Sequence, residues 1–400
     1  MNATTSTTSR HLLRDLSTSA IAAGFVTVLV GFASSAAIVF QAAQSLGATP
    51  AQIGSWIWAL GLGMGLTCIG LSLRYRMPVV TAWSTPGAAM LIGSVAGLPL
   101  SDAIGAFVLC ASMIAVAGFS GFFERMIRRI PVSLASGMLA GVLLRFGLDT
   151  FAALRSQGGL VLAMLGAYLL MRRFAPRYAV IATLLIGIGY AGAAGSLRMD
   201  GLTFELARPV FVAPTWSIGA VAGIALPLFI VTMASQNVPG VAAIRAAGYP
   251  IPISPVIGWT GVANVLLAPF GAFALNLAAI TAAICMGREA HEDPARRYVA
   301  SVAAGVFYIV VGLSGATVVA LFAAFPKELI VAIAGIALLG TLGSSLAAAL
   351  REESEREAAL VTFLVTASGL SLWGIGSAFW GIVAGVVTMA ALMRPKPARP

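Results

Sequence analysis

Charge is scarce in this 400-residue chain. Asp, Glu, Lys and Arg make up 10% of it and hydrophobic residues 59%, a balance that excludes a soluble globular domain. Carboxylates are the scarcest charge. All 14 acidic residues fall in loops or at helix ends of the hydropathy pattern, so no Asp or Glu is expected near the middle of a membrane. Two histidines occur, His11 and His291, both in loops, and the three cysteines Cys68, Cys110 and Cys285 form no CxxC. A histidine proton relay, a metal centre and a disulfide framework therefore lack their residues. No GxxxxGK[ST] loop is present, so ATP does not drive this chain through its own sequence, and no cofactor is expected. An intramembrane enzyme would need clustered acids, histidines or cysteines, and the one acidic run, 352–357, reads as a solvated loop. The chain is read as not an enzyme.

Apolar sequence is what the chain has in abundance. Mean hydropathy is +0.97, and about 20 apolar residues cross the hydrocarbon core of a bilayer. The expected fold is an all-α polytopic membrane protein with about fourteen transmembrane segments, a number set by that length. They run over 16–44, 51–72, 78–96, 101–121, 130–152, 157–171, 178–195, 216–238, 254–268, 271–287, 296–322, 327–348, 357–372 and 375–393. Basic residues collect in cytoplasmic loops. With the N-terminus inside, only Arg145, Arg155, Arg198, Arg208 and Lys327 of the 24 basic residues face outward, so both termini are expected in the cytoplasm. The net charge of +10 then reports topology, and a nucleic-acid partner, which takes a basic face on a soluble fold, is not expected. Residues 1–15 read as a cytoplasmic tail, because the apolar stretch after them is too long for a signal peptide.

Two of these segments, the third and the tenth, are broken. Val79-Val80-Thr81-Ala82-Trp83-Ser84-Thr85-Pro86-Gly87 and Phe270-Gly271-Ala272-Phe273-Ala274-Leu275-Asn276-Leu277-Ala278 each start β-branched or aromatic and pass a polar residue. Each then resumes as small helix formers, over 88–93 and 278–286. A short strand feeding a half-helix is expected at both. Interrupted segments at corresponding positions of two halves point to a midplane substrate site in secondary transporters. Seven segments per half is an odd number, so the halves, 16–198 and 216–393 with a linker at 199–215, must be inverted repeats.

An interior without acids, facing two half-helix N-termini, suits an anion. Each N-terminus offers unpaired N–H groups and about half an elementary charge. Thr85, Gly87 and Ala88 on one side and Asn276, Leu277 and Ala278 on the other are expected to supply those groups. Ser84, Thr85 and Asn276 also read as caps. Gln236 and Asn237 place two amides beside a Pro239-Gly240 break and either bond neighbouring helices or orient a substrate. Ser34, Ser35 and Gln41 in the first segment pose the same choice. Phe32, Phe40 and Phe273 either wall an aromatic substrate or pack. The GxxxG pairs Gly61/Gly65, Gly137/Gly141 and Gly381/Gly385 read as close helix packing, and Arg145 pairs with Asp149 at i,i+4.

The strings Trp83-Ser84-Thr85-Pro86-Gly87-Ala88-Ala89, Val231-Thr232-Met233-Ala234-Ser235-Gln236-Asn237, Ala278-Ala279-Ile280-Thr281-Ala282-Ala283-Ile284-Cys285 and Leu364-Val365-Thr366-Ala367-Ser368-Gly369-Leu370 closely resemble the bacterial benzoate:proton symporter family. The resemblance extends to Ala33-Ser34-Ser35-Ala36-Ala37-Ile38 and to Glu289-Ala290-His291-Glu292-Asp293-Pro294, covering nearly the whole chain. That family is distantly similar to the uracil permease and anion-exchanger fold. The likeness implies a core domain from 16–121 and 216–322 and a gate domain from 130–195 and 327–393. It implies substrate held where the third and tenth segments meet the first and eighth. Nucleobase permeases of this fold carry embedded glutamates in the eighth and tenth segments, where this chain has Gln236 and Asn276. The proton carrier is therefore not identified. The expected function is import of benzoate or a similar aromatic carboxylate with protons, by alternating access, across a bacterial inner membrane. The alternatives are a nucleobase-type permease and a passive organic-anion channel. The expected partners are the aromatic carboxylate, protons and the lipid bilayer; a homodimer is compatible with the sequence and not required by it.

Overall fold

The computed structural model describes residues 15–94, 98–127, 130–197, 206–315, 317, 325–370, 372 and 377–392. The first half contains α1 (Thr18–Ser45), α2 (Pro50–Tyr75), β1 (Thr81–Ala82), α3 (Thr85–Ser94), α4 (Leu100–Phe119), α5 (Val132–Ala152), α6 (Leu154–Phe174) and α7 (Ala179–Ala193). The second contains α8 (Ile218–Ala246), α9 (Ile253–Leu267), β2 (Asn276–Leu277), α10 (Ile280–Met286), α11 (Tyr298–Ser314), α12 (Lys327–Ala349), α13 (Arg356–Ala367) and α14 (Ser377–Leu392). Seven of the described helices are long and apolar enough to cross a bilayer, or eight if the bent α12 counts as one span. The chain is thus a polytopic, mostly helical membrane protein. The Ser/Thr-rich tail over 1–14 and the linker residues 199–205 lie outside the described set.

Both sequence breaks are strand followed by short helix. β1 pairs antiparallel with β2, Thr81 opposite Leu277 and Ala82 opposite Asn276, so the two breaks meet. α3 has 10 residues and α10 has 7, too few to cross alone at about 1.5 Å per residue. Their first residues are Thr85 and Ile280, where the sequence had suggested 88 and 278. A two-stranded ribbon inside a membrane must have its edges satisfied by protein. On one edge Ser72 Oγ donates to the Val79 carbonyl and accepts from its N–H, both at 3.1 Å, and Thr81 N–H donates to Cys68 Sγ at 3.2 Å. On the other, Leu277 N–H donates to Asn237 Oδ1 at 2.9 Å. Before β2 the chain turns at Gly271, whose φ is 101° and whose Cα hydrogens face the Trp56 ring too closely for any Cβ.

One expectation fails at α8. Pro239 and Gly240 do not break the helix, which runs on to Ala246 rather than ending at 238. Instead Val221–Ala225 and Met233–Asn237 form π-helical turns, each ahead of or beside a proline, Pro227 and Pro239. A proline lacks the N–H and clashes with the carbonyl of the preceding turn, and widening that turn relieves both faults without ending the helix. α11 runs to Ser314, and most of 316–322, the end of the segment expected there, lies outside the described residues.

The helices pack in two groups. α2 lies on α11, α9 on α4, and α1, α3, α8 and α10 gather around the strand pair; α5 packs on α12 and α13, α6 on α7, and α13 on α14. Moving every helix by seven positions exchanges α2–α11 with α9–α4, α1–α11 with α8–α4, α1–α3 with α8–α10, and α6–α7 with α13–α14. Glycines make the approaches possible. A Cβ on Gly61 would sit 2.6 Å from the Gly312 Cα, and one on Gly65 2.6 Å from the Gly305 carbonyl oxygen. At the counterpart contact a Cβ on Gly261 would sit 2.5 Å from Ala115 N. Gly137 and Gly141 of α5 and Gly381 and Gly385 of α14 press on α13, as the GxxxG spacing suggested.

Candidate substrate cavity

A cavity of about 150 Å³ lies between the two groups, where β1 and the starts of α3 and α10 meet α1, α8 and α11. Its polar wall is Ser35 of α1, Thr85 of α3, Ser235 and Gln236 of α8, Thr281 of α10 and Tyr308 of α11. Its other wall comes from the second group, Val142 and Phe146 of α5 and Ala378 of α14. Among the described residues, no Asp, Glu, Lys, Arg or His lines it. An ionised ligand here must be held by dipoles and hydrogen bonds, since an unpaired buried charge is strongly unfavourable.

Several expected amides are already taken. Ser84 caps α3, its Oγ accepting from Gly87 N–H at 3.1 Å and its carbonyl from Ala88 N–H at 2.8 Å. Leu277 N–H is bound to Asn237, and Ala278 N–H donates to the Val80 carbonyl at 2.9 Å. Asn276 lies in the strand pair and its Nδ2 donates to the Ala274 carbonyl at 2.9 Å. The N–H groups of Gly87, Ala88 and Leu277, expected to face an anion, are thus bonded within the protein, and Asn276 lies in the strand pair with its buried Oδ1 unpartnered among the described residues. Ser84 is fully buried and acts as a cap. Strand pairing and capping win because each amide without a partner inside a membrane costs several kcal/mol whenever no substrate is bound. What remains is Thr85, whose N–H has no acceptor among the described residues, and α10, whose first turn carries no side-chain cap.

Gln236 and Asn237 separate cleanly. Asn237 is fully buried, with Oδ1 on Leu277 N–H and Nδ2 on Met233 Sδ at 3.1 Å. It staples β2 to α8. Gln236 is half-buried on the cavity wall, and its side-chain amide has no partner among the described residues. Ser35 donates to the Gly31 carbonyl at 2.9 Å and accepts from Trp83 Nε1 at 3.1 Å, which fixes the indole at the cavity edge. The Ser34 side chain lies outside the described residues, and Gln41 is exposed. Phe273 is fully buried against Trp56 and Phe107, ring centroids 5.6 Å away in both cases, and packs instead of walling the cavity. Phe32 packs edge-on to Trp83 at 4.7 Å, and Phe40 is half-buried. Ala278 does border the cavity.

The sequence reading missed Ser235, Thr281, Tyr308, Val142 and Phe146. Tyr308 carried a signal: a tyrosine deep in an apolar helix usually keeps its hydroxyl paired or near a polar space. It is fully buried, and its hydroxyl sits where Gly31 leaves room, 3.1 Å from where a Cβ on residue 31 would be. Val142 and Phe146 carried none.

Residues 14–391 match the family model described as benzoate membrane transport protein. The chain belongs to that family. It is 51% identical over 370 residues to the inner membrane protein YdcO of Escherichia coli K12, covering 92% of this chain and 95% of that one. It is 40% identical over 387 residues to the benzoate membrane transport protein of Acinetobacter baylyi, covering 97% and 98%. The family is one of transporters, not enzymes. Among solved structures, SLC26A9 aligns with 94% of this chain and 64% of its own at 12% identity and a TM-score of 0.46. The transmembrane domain of the cyanobacterial bicarbonate transporter BicA aligns with 92% and 97% at 13% identity and a TM-score of 0.42.

Proposed function

We propose that this chain is a secondary active transporter of the bacterial inner membrane that imports benzoate, or a similar aromatic carboxylate, together with protons. The observation that carries the reading is the uncharged cavity of about 150 Å³ in a chain of the benzoate transport family. An apolar cavity of about 150 Å³ takes a benzene ring. The carboxylate would lie against the Thr85 N–H, the Gln236 amide and the Thr281 hydroxyl, with the ring against Val142, Phe146 and Ala378. Tyr308 completes the polar wall.

The first packing group corresponds to a core domain and the second to a gate domain, with the cavity on their seam; movement of one against the other provides alternating access. The exchange of helix pairs on a seven-helix shift supports a 7+7 inverted repeat of fourteen segments, with α3 and α10 as halves of broken spans. Proton coupling rests on energetics. A monovalent anion entering a cell negative inside is opposed by about 2.3 kcal/mol per 100 mV, and one proton per anion removes that term. Both termini lie in the cytoplasm on the positive-inside rule.

The test is labelled benzoate uptake into proteoliposomes with and without an imposed inward proton gradient. Accumulation above equilibrium only with the gradient is the expected result. Flux that equilibrates and ignores the gradient would make the chain a passive anion channel. Uracil flux in place of benzoate flux would make it a nucleobase-type permease.

A further inference from the structure

Among the acidic residues of the described set, Glu289 is the buried one. It sits in the loop after α10, yet its side chain is 6% exposed, and its carboxylate pairs with Arg172 of α6. The ion pairs of Asp15 with Arg76 and Arg296, and of Asp293 with Arg296, stay within the core group, and Arg145–Asp149 stays within the gate group. Arg172–Glu289 joins the two. It borders a second cavity of about 470 Å³, walled by Arg172, Gly340 and Ser345 from the gate and Arg288, Glu289 and Arg297 from the core.

The surroundings are built to hold this carboxylate across the seam. Arg297 donates from Nη1 to the Met286 carbonyl at 2.8 Å and from Nε to the His291 carbonyl at 2.7 Å, pinning the loop that carries Glu289. Asp293 caps the turn at Pro294–Arg296 through Ala295 N–H at 2.9 Å. The motif Glu289-Ala290-His291-Glu292-Asp293-Pro294 is thus a rigid mount for its first residue. Gly340 of α12 receives the carboxylate, since a Cβ there would sit 2.6 Å from Glu289 Oε1. Removing one partner of a buried ion pair is strongly unfavourable, so the pair and the closed seam stabilise each other.

We propose that Arg172 and Glu289 form an ionic latch between gate and core that holds the cytoplasmic end of the seam shut in this conformation and opens when substrate is released. The proposal rests on the alternating-access reading above. The latch is tested by access to its cavity. Cys68, Cys110 and Cys285 are buried, so an S345C variant reports labelling by a membrane-impermeant maleimide applied to the cytoplasmic face. E289Q and G340A, each combined with S345C, should label about tenfold faster than S345C alone, within the range by which single couplings shift two-state equilibria. The swapped pair R172E/E289R should restore slow labelling. G340A keeps both charges, so it still reads the latch if E289Q fails to insert. Unchanged labelling in E289Q and G340A, or a swapped pair as fast as E289Q, would overturn the latch. Labelling needs no substrate: a latch that behaves as expected in a chain that moves no benzoate would sink the substrate reading alone, and normal uptake with unchanged labelling would sink the latch alone.

Discussion

Gln236 and Asn237 are adjacent amides in one π-helical turn, and the structure gives them opposite work. Asn237 satisfies the Leu277 N–H, so Asn237→Ala leaves a buried donor without a partner, which costs about 1 to 3 kcal/mol. The expected outcome is a lower melting temperature in detergent with benzoate affinity nearly kept in the folded fraction, read by thermal shift and by binding on the same sample. Gln236→Ala removes a group that spends nothing on the fold. A hydrogen bond to a charged ligand contributes about 1.5 to 3 kcal/mol, so binding should weaken about tenfold to a hundredfold with the melting temperature unchanged. Equal affinity in wild type and Gln236→Ala would remove that amide from the site. At this scale the sequence showed which residues were polar in an apolar place, and two of its candidates, Thr85 and Gln236, line the cavity. It showed the local cap at Ser84, but it did not show which N–H groups the strand pair consumes, because those partners lie far away in sequence, as Val80 does from Ala278.

Among the elements, the two strand-plus-half-helix breaks were legible because a β-branched start, a polar residue and a run of small helix formers follow one another in each. The continuation of α8 through Pro239 was not. A proline reads as a break unless the preceding turn widens, and whether it widens depends on what the extra residue can reach. Here the widened turn Met233–Asn237 carries both Gln236 to the cavity and Asn237 to β2. Closing it to an ordinary α-turn would shift the helix ahead of it by one residue, about 100° of rotation at 3.6 residues per turn. Pro239→Ala restores the missing N–H and favours that closure. The expected result is a loss of benzoate affinity as large as that of Gln236→Ala in a protein that still inserts, measured by equilibrium binding; full affinity would show that the turn is held by its neighbours and not by the proline.

For the whole molecule, the cavity has two owners. Hydropathy and charge revealed a polytopic chain with paired breaks, but they said nothing about Val142 and Phe146, which look like any other apolar residues of a helix until α5 is seen beside α8 and α1. The first packing group supplies every polar side chain of the lining, and the second supplies only apolar ones, Val142, Phe146 and Ala378; on the proposed reading the carboxylate is held by the first group and the second closes over the ring. It follows that ring size and carboxylate recognition should be separable by mutation. Phe146→Ala lies on the gate wall and touches none of the polar groups assigned to the carboxylate. It should admit a fused two-ring carboxylate such as 2-naphthoate, which a cavity of about 150 Å³ is too small to accept in the wild type, while benzoate binds more weakly for lack of apolar contact. Added to Phe146→Ala, Gln236→Ala should weaken both acids alike. Competition of each acid against labelled benzoate in the two variants measures the separation: a Phe146→Ala protein that still excludes naphthoate, or an added Gln236→Ala that changes the preference between the two acids, would place the ring and the carboxylate in the opposite arrangement.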